Sequence, residues 1–139
     1  MRLHKRWLSY ADLAPWYQSS LLGASSQFLQ AHPDAAEKLL EVYAVTAREL
    51  NATNGVWTDD LIQIVTNRAG VDAATVKTQG GVPYYDPNVP VSIESLDRTQ
   101  QLWVQNGQVK EPVDVNKLVD SEPLDRALQA IGRLSPRDE

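Results

Sequence analysis

Between Pro33 and Leu50 the apolar residues Ala36, Leu39, Leu40, Tyr43, Ala47 and Leu50 recur at intervals of three and four. That spacing gathers them into one stripe of an α-helix, and a stripe of this kind must be buried. Pro33 suits the first helical turn, where a missing N–H costs nothing. Asp34 and Glu37 complement the positive end of the helix dipole. At 139 residues the chain suits a single domain, which buries roughly two-thirds of its unfolded surface.

Further helices follow from end signals. Thr58 can cap a helix that opens with Asp59 and Asp60, turns Leu61, Ile62, Val65 and Ala69 inward, and stops at Gly70. Asp72 caps a short helix through about Val76, and Gly80-Gly81 breaks the pattern. Residues 79–91 contain Pro83, Pro87 and Pro90, which fix backbone angles and remove donors, so they read as an ordered surface loop turning at Asp86-Pro87-Asn88. Ser92 caps the next helix, with Leu96, Thr99, Leu102 and Trp103 inward and Gly107 as its left-handed end. Ser121 caps the last, with Leu124, Leu128 and Ile131 on one face and Gly132 after it.

The front of the chain reads differently. Tyr17 to Ala24 is short, mixed in polarity and ends in small residues, which predicts a strand, and a second strand is placed near Trp7 to Tyr10. One or two strands without partners leave unpaired edges, so the front of the chain is expected to be incomplete. The fold class expected is therefore predominantly α with one or two strands near the N-terminus. Residues 1–24 form the strand region, 25–134 the helical region and 135–139 a disordered tail.

Composition narrows the function. The net charge of −5 repels phosphate backbones, so nucleic acid is excluded as an expected partner. The basic cluster Arg2, Lys5 and Arg6 beside His4 and Trp7 reads as a solvated terminus or an anion patch. Zero cysteines remove disulfides, thiolate metal sites and cysteine nucleophiles. No apolar run approaches the roughly 20 residues of a membrane span. The first ten residues lack the apolar stretch of a secretory signal, so the chain as written is expected to stay in the cytoplasm.

Asp12-Leu13-Ala14-Pro15-Trp16-Tyr17-Gln18-Ser19-Ser20, followed by Phe28-Leu29-Gln30-Ala31-His32-Pro33-Asp34, resembles the return strand and next helix of solute-binding proteins from ABC importers of the nitrate/sulfonate/taurine type. Pro83 to Asn88, Ser92 to Leu96, Asn106 to Val109 and Val113 to Asp120 are similar to that family's closing helices, in the same order. The resemblance covers roughly Leu13 to Leu134. It implies part of one lobe of a periplasmic-binding-protein-like type II α/β fold that closes on a small solute by hinge motion. It also implies a membrane permease as partner and a location in the periplasm or at the outer face of the membrane. Most of the cleft would lie before Met1, so the chain alone is not expected to hold solute tightly.

The resemblance sets Tyr17, Gln18, Ser19 and Ser20 beside the cleft as candidate ligand-binding residues. Their amide and hydroxyl groups suit a sulfonate, nitrate or carboxylate oxygen, or else they satisfy neighbouring backbone. Trp7, Tyr10, Trp16 and Tyr17 form an aromatic cluster, either a wall for a planar solute or a surface packed in the core or against another copy. Tyr84 and Tyr85 are expected to pin the proline-rich loop to the helices. His4 and His32 are the only histidines, and neither has a second ligand at metal spacing. The carboxylates Asp59-Asp60 and Asp34 with Glu37 are explained by helix dipoles. No nucleophile, base and oxyanion set emerges. The expectation is a non-enzymatic binding module with no cofactor. The alternative is a free-standing helical protein that self-associates into a homo-oligomer.

Overall fold

A computed structural model describes residues 10–78 and 80–135. It is predominantly helical: α1 (Tyr10–Leu13), α2 (Ser26–Ala31), α3 (Pro33–Ala52), α4 (Asp59–Ala69), α5 (Ala73–Thr78), α6 (Ile93–Gln105), a 3-10 turn (Val115–Lys117) and α7 (Glu122–Ile131). The chain divides into two compact units, Met1–Gln27 with Val91–Ser121 and Phe28–Pro90 with Glu122–Glu139. The basic N-terminal cluster, most of the second expected strand and all but the first residue of the expected tail lie outside the described residues.

The predicted helix ends are where local hydrogen bonds secure them. Thr58 Oγ1 accepts the Leu61 N–H at 3.3 Å, and Ser92 Oγ accepts the Ser95 N–H at 3.1 Å, as capping side chains do. Gly70 ends α4 at φ 67° and returns its N–H to Thr66 O at 3.1 Å, a left-handed position that favours glycine.

The Asp72 carboxylate caps α5, accepting the Thr75 N–H at 2.9 Å and the Thr75 hydroxyl at 2.7 Å. These bonds, the hydroxyl's first, hold its carboxyl below the usual value of 3.8. A lowered folded-state value means the cap stabilises fully above the unfolded value and is lost as pH falls through the folded one. The Thr75 amide resonance is therefore expected to titrate below pH 3.8, and Asp72→Asn is expected to abolish that titration; an inflection above 3.8 would contradict the cap.

In the larger unit α7 packs along α3. The approach is close because α3 offers alanines: Ala36, Ala44 and Ala47 are buried, as are Pro123, Ala127 and Leu128 on α7. Arg126 on α7 bridges to Glu37 on α3 at 3.1 Å and to Glu122 one turn earlier at 2.6 Å. The hairpin of α4 and α5 buries Ile62 and Val76. Ala69, expected inside, is exposed, in the last position of the helix before the Gly70 cap.

The loop after α5 closes against the end of α3. Val82 N–H donates to Gly55 O at 2.9 Å, and the Trp57 indole donates to Gly80 O at 2.6 Å. A Cβ at Gly81 would stand 2.7 Å from Gly55 O, so the crossing requires glycine. Asn51 donates to Tyr85 O at 2.6 Å and accepts its N–H at 2.9 Å. Asn51 thus pins the loop through the backbone of Tyr85, and the Tyr84 and Tyr85 side chains are 47% and 36% exposed. The turn at Asp86-Pro87-Asn88 forms, with Val89 N–H on Asp86 O at 3.0 Å.

Two further expectations are corrected. The segment Tyr17–Ala24 has no regular secondary structure and forms no strand. Its leading amides are taken elsewhere: Tyr17 N–H closes a turn on Ala14 O at 2.9 Å, and Gln18 N–H goes to the Ser95 hydroxyl at 2.7 Å. Of the second expected strand only Tyr10 is described, and it opens α1. Among the described residues no strand is present.

On α6, Leu102 and Trp103 point outward, 47% and 49% exposed, while Ser95 and Gln100 are buried. Gln100 displaces them. Its side chain accepts the Val113 N–H at 2.8 Å and donates to Val113 O at 3.0 Å, imitating a strand partner, so its side of the helix is covered by the returning chain.

Candidate functional site

The four residues expected beside a solute belong to the smaller unit, where the start of α6 fixes one of them. Ser92 leaves the helix with its own N–H unclaimed by the helix. Gln18 Oε1 accepts that N–H at 2.7 Å. Three residues further on, Ser95 Oγ accepts the Gln18 N–H at 2.7 Å. The two bonds run in opposite directions and lock Gln18 by backbone and side chain to a single helical turn. Ser95 is only 1% exposed, so this hydroxyl has little water to fall back on and its pairing matters.

Tyr17 stands beside the clasp. Its ring meets Trp16 edge-on at 6.1 Å between centroids, a favoured aromatic geometry. The Arg98 guanidinium lies 5.4 Å from the Trp16 ring centroid, within cation–π range. Arg98 is also paired with Glu94 at 2.7 Å. Ser19 and Ser20 follow in the irregular run, both exposed. The structure thus groups Tyr17 and Gln18 with Trp16, Ser92, Ser95 and Arg98, and leaves Ser19 and Ser20 on the solvent-facing run beyond them.

The Gln18 carbonyl satisfies neighbouring backbone, one of the two roles weighed for it. The exposed Ser19 and Ser20 hydroxyls can donate to an oxyanion and accept from an amine. Among the described residues no group of three or more His, Asp or Glu side chains is placed to hold a metal ion. His32 sits against Phe28, ring centroids 5.3 Å apart, immediately before α3.

Sequence reasoning missed the residues that organise the larger unit. Arg48 donates to Pro87 O at 2.9 Å, to Ile131 O at 3.3 Å and to Gly132 O at 2.7 Å. It gathers the loop and the end of α7, whose last carbonyls have no helical partner. Asn88 completes the contact by donating to Leu134 O at 2.6 Å and accepting its N–H at 3.0 Å. The available signal was the position of Arg48 and Asn51, which share the side of α3 carrying Ala44 and Ala47. In comparisons with protein-family models, curated proteins and solved structures, no match was found.

Proposed function

We propose that this chain is the C-terminal, helical part of a solute-binding protein that delivers small nitrogen- or sulfur-containing solutes, such as nitrate, sulfonates or taurine, to an importer's permease. The observation that carries the reading is the exposed run after Gln18, which enters no helix before Ser26. Leu21 and Leu22 are adjacent, so in a strand they would face opposite sides. They are 49% and 53% exposed. A strand that is apolar on both faces suits the interior of an α/β sheet covered on both sides.

On this reading the run completes a sheet supplied by the rest of a type II, periplasmic-binding-protein-like receptor. The Gln18 clasp fixes where it leaves the helical lobe. The resemblance noted in the sequence supports the reading, since it spans the run, the α2–α3 pair, the glycine- and proline-rich loop, α6 and the turn at Val115. Tyr17, Ser19 and Ser20 then lie where chain passes between lobes, and closure of the lobes brings their polar groups to a solute. The role is binding and delivery, without catalysis, in the periplasm or at the outer face of the membrane. Among the described residues no helix is long and apolar enough to cross a membrane.

The test is calorimetric titration of the protein extended by the coding sequence in frame upstream of Met1, against taurine, alkyl sulfonates, nitrate and pyrimidines. Micromolar binding of one solute class is expected, with the 139-residue chain binding at least about 100-fold more weakly because one cleft wall buries too little of a ligand. Failure of the extended protein to bind any of these solutes would contradict the proposal.

A further inference from the structure

The helix α3 has two apolar sides, and its packing against α7 uses one of them. Leu39 is 56% exposed, Val42 62%, Tyr43 38% and Val45 39%. With about 100° of rotation per residue, Lys38, Val42, Val45 and Glu49 fall within an arc of about 60° and form a single ridge roughly 16 Å long. Leu39 flanks it on one side. The ridge is apolar at its centre, carries Lys38, paired with Glu41 at 2.6 Å, toward its N-terminal end and Glu49 toward its C-terminal end.

That order is self-complementary. Lys38 and Glu49 are equally far from the midpoint between Tyr43 and Ala44, and so are Val42 and Val45. A two-fold axis through that midpoint, perpendicular to the helix, lays two copies of α3 antiparallel. It sets Val42 against the partner copy's valine ridge and each Lys38 across from the Glu49 carboxylate of the other copy. A parallel pairing would instead oppose like charges at both ends, which is unfavourable. We infer that the outer face of α3 is an isologous contact by which two copies of this chain associate antiparallel.

This inference does not rest on the proposed transport role. Three turns of helix bury well under the roughly 800 Å² a side of a standard interface; full-size interfaces are micromolar at their weakest, so this dimer is transient, with a dissociation constant of about 10–100 µM. Sedimentation equilibrium of the 139-residue chain is expected to show a weight-average mass rising from 15.5 kDa toward twice that value as concentration passes this range. Lys38→Glu and Glu49→Lys are each expected to weaken association by about tenfold, since each places like charges across the contact. Combining them restores the opposite-charge pairs and is expected to restore association. Circular dichroism of all three variants tracks helicity, because Lys38 also bridges Glu41 at 2.6 Å within α3. A mass that stays at 15.5 kDa throughout, single reversals without effect, or a double variant that stays monomeric would each overturn the inference; a constant monomer mass would assign the face to another partner.

Discussion

Replacing Leu128 by alanine is expected to lower the unfolding free energy by about 3 kcal/mol, within the 2–5 kcal/mol typical of such truncations. Leu128 is the largest apolar side chain that is fully buried, at 1% exposure. Its helix packs on α3, whose buried residues are Ala36, Ala44 and Ala47, and alanines have no rotamers with which to fill the space left behind. The cavity therefore persists, and its cost adds to the lost transfer free energy. Leu128→Met, which conserves volume, is expected to cost less than about 1.5 kcal/mol. Denaturant unfolding of both variants checks the pair. Equal, small effects would mean that α7 does not depend on this side chain for its seat on α3.

Arg48→Met is expected to cost about 2–3 kcal/mol, from three hydrogen bonds worth about 1 kcal/mol each with partial replacement by water at the exposed end. For a domain of this length the loss corresponds to a melting temperature lower by about 6–12 °C. The methionine keeps the aliphatic packing of the arginine stem, so the loss reports the guanidinium. Lysine presents a single ammonium in place of a planar fork and cannot reach Pro87 O, Ile131 O and Gly132 O together. Arg48→Lys is therefore expected to recover less than half of the stability. A melting temperature unchanged in Arg48→Met would show that the end of α7 and the loop hold together without it.

Helix ends were legible in the sequence because a cap is a local arrangement. Thr58, Asp72 and Ser92 bond to amides three residues away, and Gly70 adopts the φ of 67° its position demands. The direction of each apolar stripe was not legible. Periodicity placed Leu39 and Tyr43 with Ala36 and Ala47, but α7 settles over the alanines, where it can approach closely, and leaves the larger residues outside. On α6 the same reasoning turned Leu102 and Trp103 inward, whereas Gln100 holds the returning chain on that side.

The candidate site divides along the same line. That Tyr17–Ala24 is not helical was legible from its residue types, although the strand expected there does not form. Its lack of a ladder and the Gln18 clasp were not, since the clasp joins residues 77 and 74 positions apart and no short-range pattern encodes it. Arg48 was missed for that reason as well: two of its acceptors lie 83 and 84 residues away.

The account turns on whether the run after Gln18 is a strand of a larger receptor. The direct measurement is hydrogen exchange of the Ser19–Gly23 amides, made on the 139-residue chain and on the protein extended by its in-frame upstream sequence. Exposed, unladdered amides are expected to exchange freely in the former and at least about 100-fold more slowly in the latter, as ladder hydrogen bonds protect them. Equal exchange in the two proteins, or a stop codon immediately upstream of Met1, would contradict the account.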